Sequence, residues 1–97
     1  MSDQNEPRTV PSNCKLGLRH GFRMQYEPAQ KCDVLLFPEG MITLSASASE
    51  IMKLCDATRT ADQIVAELEQ KFPDANLRAD VLEFLSEAWN KGWLSES

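Results

Sequence analysis

Two apolar runs separated by a proline and a glycine limit the fold of this chain more than any other feature. Asp33-Val34-Leu35-Leu36-Phe37 leads into Pro38-Glu39-Gly40, and Met41-Ile42-Thr43-Leu44 follows at once. Proline fixes φ and glycine accepts positive φ, so the middle three residues are turn chemistry. The simplest structure is a hairpin, with residues 41–44 antiparallel to residues 34–37. Upstream, Phe22-Arg23-Met24-Gln25-Tyr26 alternates apolar and polar residues, which suits a half-buried strand that Glu27-Pro28 ends.

The remainder reads as helix. Ser45 or Ser47 can cap a first helix running through Cys55, with Ala48, Ile51, Met52 and Cys55 on one face. Residues 56–59 form a short break. Thr60 then caps a second helix, and Gln63 three residues later completes a capping-box pattern. Its buried stripe is Ile64, Val65, Leu68 and Phe72, and Pro73 stops it. Asp74 or Asn76 can cap a third helix from Leu77 to about Lys91, with Gly92 as the left-handed exit. The expected fold is α+β and winged-helix-like: a three-stranded antiparallel sheet followed by a three-helix bundle. Residues 1–13 are polar and carry two prolines, so they read as a flexible tail ahead of a single domain over 14–97.

The net charge of −5 repels a phosphate backbone and lowers the prospect of nucleic-acid binding. No apolar run approaches the ~20 residues needed to span a bilayer, and no signal peptide is visible, so a cytoplasmic protein is expected. Cys14, Cys32 and Cys55 form no C-x-x-C pair, and the single histidine, His20, has no ligand-spaced neighbour. No nucleophile is linked to His20 by a known spacing, and no phosphate loop exists. The chain reads as a non-enzyme without metal or cofactor.

The third helix decides what kind of domain this is. Around Val81, residues Leu77, Phe84, Leu85 and Ala88 fall within about 60° at ~100° per residue, which is the core side. Leu82 and Trp89 lie about 80–100° round, so the apolar arc is wider than one core-facing stripe requires. Two functional classes fit this outline. A winged helix-turn-helix DNA-binding regulator needs basic or amide groups on its recognition helix, whereas Arg78, Asn90 and Lys91 stand against Asp80, Glu83 and Glu87. Peptide capture needs a free strand edge, here Met41, Ile42, Thr43 and Leu44, beside an apolar wall, here Leu82, Leu85 and Trp89. Periodicity alone allows Leu82 and Trp89 to complete the core or a dimer contact just as well.

The sequence resembles the pyrroloquinoline quinone (PQQ) biosynthesis protein D family, PqqD. The resemblance is carried by Gly21-Phe22-Arg23-Met24-Gln25 and by the run from Val34 to Met41 that includes Phe37-Pro38-Glu39-Gly40. It continues through Leu44, Ile51, Leu54-Cys55-Asp56, Ile64-Val65, Leu68 and Phe72-Pro73, and closes with Asp80-Val81-Leu82-Glu83-Phe84-Leu85 and Gly92-Trp93-Leu94. Two positions depart from the family's pattern. Ser45 stands where asparagine is common, and both residues cap. Ala57 stands where glycine commonly follows Asp56, so the chain there lacks the residue that best tolerates positive φ.

The resemblance implies a stand-alone recognition element for a ribosomally made peptide. Such a protein binds the PQQ precursor peptide as an added strand. It delivers the peptide to the radical S-adenosylmethionine enzyme that cross-links its Glu and Tyr. It is non-catalytic and needs no cofactor. Apart from the resemblance, the exposed strand edge and apolar flank leave a monomer or a homodimer open, and the charge and hydropathy leave neither nucleic acid nor membrane as an expected partner. Carried onto this chain, the main chain around Ile42 and Leu44 supplies hydrogen bonds. Leu82, Leu85 and Trp89 supply apolar pockets, and Arg78 meets an acidic side chain. A peptide-maturation chaperone outside the quinone pathway is the alternative within the same class.

Overall fold

The computed structural model describes residues 10, 11 and 13–96. Along the chain they form β1 (Lys15–Leu18), β2 (Arg23–Glu27), β3 (Cys32–Phe37), β4 (Gly40–Thr43), α1 (Ala46–Lys53), β5 (Asp56–Thr60), α2 (Ala61–Lys71), α3 (Arg78–Asn90) and β6 (Leu94–Glu96). The strands make two antiparallel sheets of three, in the orders β2-β3-β4 and β5-β1-β6. The fold is α+β as expected, with one sheet more than the sequence suggested.

The first sheet is the expected meander. Pro38 and Glu39 form a two-residue turn, because Phe37 pairs directly with Gly40, and the register continues through Leu36 with Met41, Leu35 with Ile42 and Val34 with Thr43. Lys53 reaches Asp33 at 3.5 Å and ties α1 to the central strand.

The second sheet is non-local. Residues 56–59, read from sequence as a break, instead extend as β5 along β1, while β6 lies on the other side of β1. The β1–β5 register shifts between Lys15, opposite Thr60, and Gly17, opposite Asp56. Three residues of β1 therefore face five of β5, and the excess is absorbed as a bulge. Within it Ala57 takes a left-handed φ of 72°. The chains approach so closely here that a Cβ on Gly17 would lie 3.3 Å from that of Ala57. Thr58 donates through its main-chain N–H (3.2 Å) and its hydroxyl to the Asp56 carboxylate, which holds the turn.

The helices start and stop where local chemistry dictates, with three exceptions. Ser45 caps α1 by accepting from the Ala48 N–H at 3.2 Å. Thr60 and Gln63 form the expected capping box, with bonds of 3.3 and 2.9 Å. The end of α3 is a Schellman motif: Gly92 at φ 83° lets Trp93 N–H reach Ala88 O at 2.9 Å and Gly92 N–H reach Trp89 O at 3.1 Å. The first exception is α1, which stops at Lys53, short of Cys55. The second is α3, whose N-cap is Leu77 with no side-chain cap, so neither Asp74 nor Asn76 serves. The third is Phe72, expected in the core but 43% exposed, because α2 has ended before it.

The core lies where helices and both sheets meet, around Leu16, Leu35, Met52, Ile64, Val65 and Leu85, all fully buried. Residues 1–9 and Ser12 of the expected tail lie outside the described residues. Val10 belongs to the core cluster at 4% exposure, so packing begins before residue 14.

Two outcomes follow. A left-handed alanine costs ~1–2 kcal/mol, while the extra unfolded-state freedom of glycine costs ~0.4–1 kcal/mol. Ala57→Gly should therefore stabilise the fold by about 0.5–1 kcal/mol, raising the thermal midpoint; a lower midpoint would show that Ala57 is not strained. The Cys55 thiol is buried against Ile51 O at 3.5 Å, and burial, assisted by Asp56, pushes its pKa up to about 12. At pH 8 Cys14 and Cys32 should take up an alkylating reagent while Cys55 does not. In denaturant all three should react, as mass spectrometry would report.

Candidate functional site

The β4 edge is built from main-chain geometry. β4 pairs with β3 alone, so its other side is unpaired among the described residues. Leu44 N–H donates to Asp33 O at 3.0 Å, which extends the β3–β4 register by one hydrogen-bonded pair. Hydrogen-bonded and non-bonded pairs alternate along an antiparallel ladder. Gly40, Ile42 and Leu44 thus turn their N–H and C=O groups toward β3, and Met41 and Thr43 turn theirs to the free edge. The outward groups are those of the residues adjoining Ile42 and Leu44.

The side chains of the edge divide the same way. Ile42 is half-buried against the core and Leu44 is buried, whereas Met41 is 49% exposed. Thr43 is exposed, and its hydroxyl donates to Gln30 Oε1 at 3.2 Å. An incoming strand would meet free backbone at Met41 and Thr43 with no bulky side chain from Ile42 or Leu44 in its path.

On α3 the expected wall is only partly present. Leu82 and Trp89 are half-buried and pack against the core from its flank, so each keeps an accessible side. Leu85 is a correction: it is 0% exposed, enclosed in the core stripe with Val81 and Ala88, and offers nothing to a surface ligand. Arg78, in the first turn, donates to Asp62 of α2 at 2.8 Å, with both side chains more than half exposed. Exposed pairs of this kind are worth only ~0–1 kcal/mol, so another carboxylate can replace Asp62. Asp80, Glu83 and Glu87 all face outward.

A second surface escaped the sequence reading. The start of α1, the end of α2 and the start of α3 enclose an open groove of about 450 Å³, lined by Ile51, Leu68, Phe72, Leu77 and Val81 with Ala46 and Ser47 at its rim. It lies beyond the Thr43 end of β4, since Ala46 follows that strand by three residues. The available signal was Phe72 beside the helix-stopping Pro73, a large ring at an element end where burial is least assured. Lys71 donates to Glu50 beside this groove, and that bond holds the Glu50 carboxyl below the usual carboxylate range. Its contribution to stability is present above the ordinary Glu pKa of about 4.3 and is lost as pH falls through the depressed value.

Little here resembles reaction chemistry. His20 is exposed, and among the described residues no three His, Cys, Asp or Glu side chains cluster as metal ligands. Burial, with Glu96 nearby, raises the Cys14 thiol. The hydrogen bond from Thr58 lowers the Asp56 carboxyl. Both shifts have structural causes. No helix among the described residues is long and apolar enough to cross a membrane.

Comparison with known proteins identifies the family. Residues 32–94 match the family model for coenzyme PQQ synthesis protein D (PqqD). A PqqA binding protein of Pseudomonas paraeruginosa is 50% identical over 78 residues, covering 79% of this chain and 85% of its own length. One from Azotobacter vinelandii is 49% identical over the same shares. Among solved structures, the NMR structure of the PqqD truncation of Methylobacterium extorquens PqqCD, a stand-alone recognition element for a ribosomally synthesised and modified peptide, superposes with a TM-score of 0.74. It is 28% identical, with 94% of this chain and 99% of that one covered. Family model, relatives and fold agree, and the chain belongs to the coenzyme PQQ synthesis protein D family.

Proposed function

We propose that this protein is a non-catalytic peptide-binding protein of PQQ synthesis. It takes the precursor peptide as an added strand on β4 and presents it to the radical S-adenosylmethionine enzyme that joins the peptide's Glu and Tyr. The observation that carries this reading is the unpaired β4 edge, with main-chain groups of Met41 and Thr43 facing outward. Relatives at half identity are PqqA binding proteins, which supports the same peptide as ligand.

In this reading the edge supplies affinity with little sequence choice, since backbone bonds ignore side-chain identity. Choice comes from Leu82 and Trp89 on α3 and from the groove at Phe72, Leu77 and Val81, which a peptide extended past Thr43 would reach. Arg78 exchanges Asp62 for an acidic peptide side chain. Holding the peptide beside the enzyme raises its effective concentration, so modest affinity suffices. The DNA-binding alternative is not favoured, because the outward face of α3 carries Asp80, Glu83 and Glu87.

Thr43→Pro tests the strand directly. It deletes an outward N–H and leaves every ladder bond to β3 intact, which edge strands tolerate. One lost hydrogen bond of ~1 kcal/mol should weaken binding of the precursor peptide at least about fivefold by calorimetry, with the fold retained. Leu82→Ala and Trp89→Ala should each weaken it further. Equal affinity across wild type and all three variants would falsify the assignment.

A further inference from the structure

Val10, ahead of the first strand, lies on the surface that the peptide reading assigns to a ligand. Val10 N–H donates to Ser86 Oγ on α3 at 3.0 Å, across seventy-six residues of sequence. Ser86 follows Leu82 by four positions and precedes Trp89 by three, so the three share one flank of the helix. Val10 is 4% exposed and counts with the core cluster against which Leu82 and Trp89 are packed. What docks there is an apolar side chain together with a main-chain hydrogen bond, the same chemistry an extended peptide would offer.

We infer that the N-terminal segment at Val10 is an internal occupant of the α3 flank, displaced when the precursor peptide binds. This rests on the peptide-binding reading above. One valine and one hydrogen bond must offset the entropy of ordering the segment, so the docked state is weakly held and exchangeable. Binding is then an exchange of ligands on a surface that stays covered. The apparent affinity is lowered by the fraction of molecules in which the segment is docked.

The test is residue-resolved amide exchange on the full chain, with and without saturating synthetic precursor peptide. Protection at Val10 should fall about tenfold or more, while Val65 and Leu85 stay protected. Val10→Ser and Ser86→Ala should each bind the peptide about three- to tenfold more tightly. Ser86→Ala keeps the valine, so it decides the matter if Val10→Ser lowers the melting temperature too far. Chemical shifts moving at Met41, Thr43 and Trp89 with Val10 still protected, or weaker binding by Ser86→Ala, would overturn the exchange and leave the peptide site standing. No binding by wild type or either variant would overturn both.

Discussion

Pairing of β1 with strands from both later parts of the chain holds the molecule together. Gly17 stands opposite Asp56 on one side and Ser95 on the other. On the first side β5 runs without a loop into α2, since Thr60 both ends the strand and caps the helix. On the second, β6 follows the Schellman turn that closes α3. A single four-residue strand therefore holds both the strand that leads into α2 and the strand that leaves α3. Leu16, fully buried at its centre, anchors that arrangement in the core. Loss of β1 pairing would release both helices together.

Sheet edges are where this arrangement meets its surroundings. Among the described residues the meander leaves β2 and β4 unpaired on their outer sides, and the β1 sheet leaves β5 and β6. Exposed edges invite unwanted pairing, and proteins limit it with short strands, charge and bulges. β5 carries Asp56 and Arg59 beside the left-handed Ala57, and β6 is three residues long. β2 carries Arg23 and Glu27. β4, reading Gly-Met-Ile-Thr, has no charge along its length. Among the four edges it is the one least defended against an incoming strand.

The parts of the fold legible in the sequence are those fixed by neighbours in sequence. The hairpin at Pro38-Glu39, the Thr60–Gln63 capping box and the Gly92 exit each need fewer than seven residues to specify. β5 and β6 were not legible. Asp-Ala-Thr-Arg-Thr has no apolar alternation, and its strand character comes from pairing with β1 some forty residues earlier. The candidate site was legible in its edge and in Leu82 and Trp89. Helical projection had already put Leu85 in the core stripe, and its complete burial follows that arithmetic. Of the α1–α2–α3 groove only Phe72 beside Pro73 leaves a local mark, and the docking of Val10 on Ser86 leaves none, since both arise from segments far apart in sequence.

The span of the β1–β6 pairing also imposes an order of assembly during synthesis. The β2–β4 meander has every partner in hand once residue 44 has emerged, because its pairs are close in sequence. The β1 sheet cannot close until Leu94, Ser95 and Glu96 are available to pair with Leu18, Gly17 and Leu16. A nascent chain thus carries a formed β4 edge well before α3 has been made and closed off by β6. In that interval the uncharged edge is open to any neighbouring strand, and it stays open once the fold is closed, because β6 pairs with β1 and not with β4.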